Sequence, residues 1–537
     1  MTDTRPVVIL SNDISPPIHR TPASGNAPAR ALSKRTIILL GVIAAAVSMA
    51  GSWIPSLWGD EAASIMSAER SWESLGRMLT TVDAVHGLYY AFLHVWTDLF
   101  GASPFSVRFP SAIAIGVATS GVAVLASRLT RGSVGIVAAI IFMVLPRVTY
   151  MGMEARAYAF TMALVVWLFI WFIALVSRQE RKALPWVGFA ALFALTNVLF
   201  IYTTMFVLVF GIIALTMKLD RGTVKRGVIS LVAGAAVALP VVAVAFMERE
   251  QIAFLHSRVG FNVTNLFVSP FFVDKTLAAI GWGFIVISLV AGITVIIRLR
   301  KGLPVNEQLA SLFQPTGERM PRLLVVAATW LFLPSILLAI GNAATPLYSP
   351  RYLSFLAPAV AMLIALGIVS VARTVKASWL VPVLTIAVVV AASSPYLKQR
   401  TPYSRNNGTD WNAIAQTIDE HAQAGDGIIF DTTVRNSRKP RLAMHMYPEP
   451  FDGLIDVGLK TPYDQTDGLW DKAYNLDDMA PKLEGLSTVW LVMVKPSYSD
   501  NPDRQETYFN TLEAAGFVVE DTLTNHKSTV YKMIRGQ

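Results

Sequence analysis

The sequence contains no cysteine. That excludes disulfides and thiolate metal sites. Charge is scarce too: 15% of the 537 residues are charged, where soluble chains carry about 25%. The scarcity is local rather than uniform. No charge occurs in residues 36–59, 109–127, 157–177, 183–217, 227–247, 276–297, 323–350, 352–372 or 377–397. Crossing the hydrocarbon core takes about 20 apolar residues, and each run is long enough. The runs are apolar all round, without the one-sided periodicity of a core helix in a soluble protein. Nor is there a compact His/Asp/Glu cluster with metal-ligand spacing. The inverted internal repeat that marks many transporters is absent as well.

What is present is a polytopic α-helical membrane protein. Residues 183–217 would make a helix of about 52 Å, too long for one crossing. The polar cluster Thr196, Asn197, Tyr202, Thr203 and Thr204 at its middle reads as a tight turn between two short spans. Residues 132–150 form another span, with Arg147 near its end. Gly87–Phe100 is short and carries His94 and Asp98, so it reads as an amphipathic helix on the membrane surface. The total is eleven spans. The first is too long for a signal-peptide core and is expected to be retained.

Lys and Arg concentrate on the cytoplasmic side of membrane proteins. With residues 1–35 taken as a disordered cytoplasmic tail, the cytoplasmic segments hold 21 Lys/Arg against 6 Asp/Glu. The rest of the chain holds 24 against 30. The net charge of +9 thus reflects topology, and nucleic acid is not an expected partner. Loop 58–108, the corner 151–156, loop 248–275, the corner 342–351 and the C-terminal part all fall outside.

After Pro395 the composition changes. Residues 395–537 hold 15 Lys/Arg and 20 Asp/Glu. Asp410 is placed to N-cap a helix reaching about Ala424, and strands are expected at 427–430 and 487–494. A helix over 506–515 ends at Gly516, and strands over 517–520 and 528–534 close the domain. Residues 398–537 are expected to be a soluble α/β domain, without a phosphate loop, metal cluster or nucleophile motif. Residues 36–397 are the membrane domain.

Four external segments carry the chemistry. Asp60 and Glu61 open a helix after the first span. Acids there are favoured by the helix dipole, or one of them is a general base in a partly desolvated cleft. His86, Tyr89 and Tyr90 follow, either as interfacial aromatics or as hydrogen-bonding groups at headgroup depth. Glu154 and Arg156 stand at the edge of an apolar helix, where ionisable groups are costly and are functional candidates. They pair with each other, or Arg147 pairs with Glu154. Arg351, beside Tyr352, is the one charge between Arg322 and Arg373. It snorkels or binds phosphate through its planar fork. Loop 248–275, with Glu248, Arg249, Glu250, His256 and Arg258, is a solvated loop or a mobile lid.

This ordered set resembles the GT-C membrane glycosyltransferases, in the branch of protein O-mannosyltransferases and lipid A aminoarabinose transferases. The residues are Gly59-Asp60-Glu61-Ala62, His86-Gly87-Leu88-Tyr89-Tyr90, the stretch from Phe100 to Ser111, Glu154-Ala155-Arg156-Ala157-Tyr158 and Pro350-Arg351-Tyr352. The resemblance covers residues 50–360. It implies a multi-pass protein of the bacterial plasma membrane that moves a sugar from a polyprenyl-phosphate donor on the extracytoplasmic side. The acceptor would be a hydroxyl on a glycan, glycolipid or protein. By the same resemblance Asp60 is the base and Glu61 assists or positions the acceptor. His86, Tyr89, Arg156, Arg351 and Tyr352 serve the donor phosphate and sugar, and Glu154 matches a second acidic position. No metal and no cofactor is expected. Mannose is the first sugar, and arabinofuranose or another pentose the second. A transporter or flippase for lipid-linked sugars is the alternative. It would place polar residues along several spans rather than at one face.

Overall fold

The computed structural model describes residues 32–130, 133–247, 262–344, 348–405 and 408–536. The tail 1–31 and the charged residues of loop 248–261 (Glu248, Arg249, Glu250, His256 and Arg258) lie outside the described residues.

Every expected span is a helix or a pair of helices. Among the described residues six are long and apolar enough to cross a membrane: Pro104–Leu129, Tyr158–Arg178, Lys275–Arg300, Leu323–Ala343, Pro350–Thr374 and Leu380–Lys398. Shorter ones are Lys34–Met49, Val134–Val144, Ala183–Leu199, Phe206–Leu215, Arg221–Val237 and Leu239–Met247. The polar cluster does break residues 183–217: one helix ends at Leu199, and a short 3-10 turn over Ile201–Met205 leads into the next. Gly87–Phe100 is a separate 14-residue helix, about 21 Å long and too short to span.

Pro350–Thr374 is the centre of the bundle, with 94% of its apolar window enclosed, against 22% for Leu380–Lys398 at the rim. On Lys275–Arg300, Val286, Val290, Ile293 and Ile297 form an exposed stripe at helical spacing. Such a stripe suits lipid. The first helix lies against Pro104–Leu129 through glycines. A Cβ on Gly116 would stand 2.6 Å from the Gly41 carbonyl oxygen. Small residues let membrane helices approach this closely.

Two spans differ from expectation. The first helix stops at Met49, and the following loop turns its carbonyls inward. The span over 132–150 breaks at Pro146, because proline forces the preceding Leu145 into an extended conformation (φ −56°, ψ 128°).

The C-terminal part carries a five-stranded sheet in the order β2-β1-β5-β7-β6. The strands are β1 Gly427–Phe430, β2 Ile455–Asp456, β5 Thr488–Val494, β6 Phe517–Thr524 and β7 Ser528–Arg535. A small hairpin, β3 Leu459–Thr461 with β4 Lys472–Ala473, stands apart. β1 runs parallel to β2 and β5, and β7 antiparallel to β5 and β6. Alternate side chains feed two cores. Ile428, Phe430, Trp490 and Val492 pack under helix Trp411–His421. Ile429, Leu491 and Met493 pack under helix Gln505–Ala514. Burial on both faces explains the unbroken apolar run of β5. Gly516 ends the second helix with φ 86°, in the left-handed conformation glycine adopts at helix ends.

Asp410 is expected to cap its helix, but its side chain does not. Its carboxylate accepts instead from Lys527 N (2.7 Å), Ser528 N (3.0 Å) and Ser528 Oγ (2.9 Å), pinning the start of β7. The helix ends at His421 rather than Ala424.

Replacing Gly116 with Val forces helices Lys34–Met49 and Pro104–Leu129 apart. Overpacking of this kind costs about 1–3 kcal/mol. Thermal unfolding in detergent is expected to show a clear drop for Gly116→Val. Gly211→Ala, where nothing lies within 4 Å of the new Cβ, is expected to show none.

Candidate active site

Helix Gly59–Ala68 begins right after the first span's loop. Successive residues on a helix point about 100° apart, so its two acids part company. Glu61 turns inward and is fully enclosed. Arg108, equally enclosed, grips it with Nε to Oε1 at 2.8 Å and Nη2 to Oε2 at 2.6 Å. The other N–H groups of Arg108 go to the carbonyls of Ser52 (2.6 Å), Pro55 (2.8 Å) and Ser56 (3.3 Å). Ala155 N also donates to Glu61, at 3.1 Å. Burial pushes the Glu61 carboxyl up, and Arg108 more than reverses this, leaving it below the ordinary value. Glu61 was expected at the acceptor. It has no accessible oxygen to offer there, and the structure makes it a buried strut.

Asp60 turns outward and stays partly accessible. Its carboxylate forms an ion pair with Arg351, whose side chain is equally accessible. The Arg351 guanidinium also lies 5.8 Å from the ring centres of Trp58 and Tyr352. Tyr352 in turn lies against Tyr202, at 5.4 Å. Two residues 291 positions apart in sequence thus meet at the end of the helical bundle that carries the C-terminal domain.

Arg156 joins them. Its Nη1 donates to Ser64 Oγ and Tyr90 OH, both at 3.3 Å, and more distantly to the Asp60 carbonyl. Tyr90 OH donates to Asp83 at 2.8 Å. Arg156 Nη2 lies 2.9 Å from His86 Nε2. Burial, and then the nearby Arg156 and Arg351, hold His86 well below its ordinary value. His86 is therefore neutral at pH 7 and accepts from Arg156. It orients a cation and does not supply one. Tyr89 is buried, its ring edge-on to Phe160 at 5.9 Å.

Glu154 pairs with neither Arg156 nor Arg147. Arg147 donates instead to the backbone carbonyls of Ser269 and Pro270. Both Glu154 oxygens are buried without a hydrogen-bond partner among the described residues. Burial pushes its carboxyl up to about 7, against the opposing pull of Arg405. Arg405 is a residue that sequence reasoning missed. It comes from the segment leading into the C-terminal domain, is buried, and lies 4.4 Å over the Tyr150 ring. An arginine in a polar stretch gives no signal of such burial. Asp83 and Trp58 likewise carry no local signal of their place beside Tyr90 and Arg351. Among the described residues no group of three His, Asp or Glu is arranged to hold a metal.

Residues 87–247 match the family model described as dolichyl-phosphate-mannose-protein mannosyltransferase. No curated protein matches the chain. Among solved structures, ArnT from Cupriavidus metallidurans bound to undecaprenyl phosphate is similar over 93% of this chain and 98% of its own. The TM-score is 0.52 and the identity 12%. The apo state of the same protein gives the same figures. Arabinofuranosyltransferase AftD from Mycobacteria (mutant R1389S) is similar over 95% of this chain and 42% of its own, with TM-score 0.50 and identity 15%.

Two predictions follow from the buried acids. Removing one partner of a buried ion pair leaves the other charge uncompensated, at a cost of about 3–5 kcal/mol. Arg108→Ala is therefore expected to lower the unfolding temperature far more than Asp60→Asn. Glu154 has a folded-state value raised above its unfolded one. Its contribution is neutral below the unfolded value of 4.5 and becomes destabilising as pH rises to about 7. Glu154→Gln is expected to raise the unfolding temperature more at pH 8 than at pH 5, relative to wild type.

Proposed function

We propose that this chain, whose fold is that of the GT-C superfamily of membrane glycosyltransferases, transfers a sugar from a polyprenyl-phosphate donor to an acceptor hydroxyl. The observation that carries this reading is the convergence of Asp60, Arg351 and Arg156 from three distant segments at one end of the apolar bundle. A carboxylate beside two cations, at the edge of lipid-facing helices, suits a substrate with a phosphate head and a hydrocarbon tail. The likeness to ArnT bound to undecaprenyl phosphate supports the same class of donor.

The reaction is a single displacement. The acceptor oxygen bonds to the anomeric carbon as the bond from that carbon to the phosphate oxygen breaks. Asp60 takes the acceptor's proton, and the sugar inverts. Positive charge builds on the ring, as in other glycosyl transfers. Negative charge builds on the departing polyprenyl phosphate, facing Arg351 and Arg156. Arg351 is shared between Asp60 and that phosphate. As it turns to the phosphate, Asp60 loses part of its counter-charge and becomes a better base. Glu61 and His86 act at one remove, the first by fixing the helix that bears Asp60 and the second by orienting Arg156. Tyr202 and Tyr352 supply an aromatic wall for sugar or lipid.

Mannose is the favoured sugar, supported by the description of the matching family model. Arabinofuranose or another pentose comes next. The charge asymmetry of the loops supports a plasma-membrane protein with its N-terminus in the cytoplasm and its C-terminal domain outside.

Purified protein supplied with labelled polyprenyl-phosphate sugars tests the reading. General-base catalysis contributes about 10²–10⁴-fold, so Asp60→Asn is expected to lose that much in kcat while remaining folded. Arg351→Lys keeps the charge but loses the planar fork, and is expected to raise KM for the donor. An Asp60→Asn protein that transfers sugar as fast as wild type removes Asp60 from the role. Movement of labelled lipid across the bilayer without transfer points to a transporter instead.

A further inference from the structure

The C-terminal domain holds a second polar site, at the carboxyl ends of β1 and β5. The chain leaves β1 for β2 on one side, then returns to β5 on the other side of β1. The winding therefore reverses between these two parallel strands. Loops leaving such a pair diverge to opposite faces and open a crevice at the carboxyl ends, which is where open α/β sheets bind ligands. A cavity of about 300 Å³ lies there, within the range of small-molecule sites.

Its walls are the loop after β1, through Val434 and Ser437, and the loop after β5, through Ser497 and Tyr498. The start of helix Trp411–His421 closes a third side. Asp431, fully buried, locks both loops in place. It accepts from Thr433 N (2.6 Å), Val494 N (3.1 Å) and Gln505 Nε2 (2.7 Å). The site is thus preformed, and binding does not have to order it.

The remaining wall is Gly59, the residue before Asp60. A Cβ on Gly59 would collide with the Ser437 carbonyl oxygen. The loop after β1 therefore rests directly on the first turn of the helix that bears the proposed base. Gly59 lines the cavity, and Asp60, its neighbour in the chain, does not.

The lining chemistry selects the ligand. Two cations, Arg438 and Lys527, and two acids, Asp410 and Asp500, line the cavity, so neither sign prevails and an anion such as phosphate is not favoured. Four serines, Ser437, Ser497, Ser499 and Ser528, line the cavity together with an exposed aromatic ring, Tyr498, which has Lys527 Nζ 4.3 Å over it. Hydroxyls that both donate and accept, next to an aromatic face with a polar tip, suit a neutral polyol. We infer that this crevice is the acceptor site, and that it holds an oligosaccharide with one hydroxyl directed to Asp60. The inference rests on the glycosyl-transfer reading and names the acceptor class for it.

The test uses the full-length protein in detergent, with mannotetraose and a linear arabinofuranose tetrasaccharide as probes. Binding is followed by saturation-transfer NMR at millimolar concentration, and transfer by acceptor and donor KM. Two exposed positions give the variants: Tyr498→Ala removes the ring and Ser497→Trp fills the mouth. Unfolding temperatures confirm that both stay folded. One of the two oligosaccharides is expected to bind. Tyr498→Ala is expected to weaken it about tenfold and raise acceptor KM alike, with donor KM unchanged. Ser497→Trp is expected to abolish binding. The inference is overturned if neither oligosaccharide binds, or if sugar is transferred to a peptide or lipid acceptor with both variants as active as wild type. Oligosaccharide binding that Ser497→Trp abolishes, with no transfer from any donor, overturns the transfer reading itself and the acceptor role with it.

Discussion

The enclosed pair of Arg108 and Glu61 is the constraint on which the site depends. A buried guanidinium is costly unless its donors are met, and Arg108 meets all five. Meeting them dictates the path of the chain. The loop after the first helix must present three carbonyls inward, so that helix cannot run on to residue 59. Glu61 must point at Arg108, which fixes the rotation of helix Gly59–Ala68. That rotation turns Asp60 toward Arg351. The 151–156 corner is drawn in through Ala155 N, which brings Arg156 beside them. One charge pair thus sets the position of two side chains it does not touch, Asp60 and Arg156.

The site it frames is organised by neutral and charged groups in alternation. Arg156 is held by Ser64, Tyr90 and a neutral His86, while Tyr90 is held in turn by Asp83. Fixed donors of this kind need little rearrangement when charge develops on a substrate. Asp60 and Arg351 differ from the rest in being partly accessible. They are the groups free to exchange their mutual contact for contacts with a ligand. The enclosed groups are fixed by their partners, and the accessible pair is the part of the site that can rearrange.

The sequence shows the membrane helices because hydrocarbon excludes charge, and the charge-free runs record that directly. It shows the Gly87–Phe100 helix and the break near Phe200 through local polar residues, and β5 through an unbroken apolar run. These signals are short-range. The resemblance to GT-C glycosyltransferases, read from five short segments, is borne out by the fold. What stays hidden is pairing across long separations. Nothing local distinguishes Glu61 from Asp60 as the inward acid, since the partner that decides is 47 residues away. Asp410 reads as a helix cap, but the amides it binds lie more than 100 residues on. Arg405 looks like a solvated charge until the bundle closes over it.

The boundary at residue 397 is real in composition but not in packing. Leu57, Met66 and Tyr90 of the external loop share one core with Trp411, Phe430 and Trp490 of the C-terminal domain. Leu57 N donates to Tyr447 OH at 3.0 Å, and Arg70 donates to the carbonyls of Thr466 and Gly468 at 3.0 and 2.6 Å. A tethered module would bury its apolar surface within itself and leave the loop to find its own partners. Here each supplies part of the other's core, and apolar area removed from water in common contributes to the stability of both. The helix that bears Asp60 is therefore clamped from two sides, by Arg108 below and by the C-terminal domain above. A change of shape in that domain would reach the acid through the contact between Gly59 and Ser437, without passing through the membrane helices.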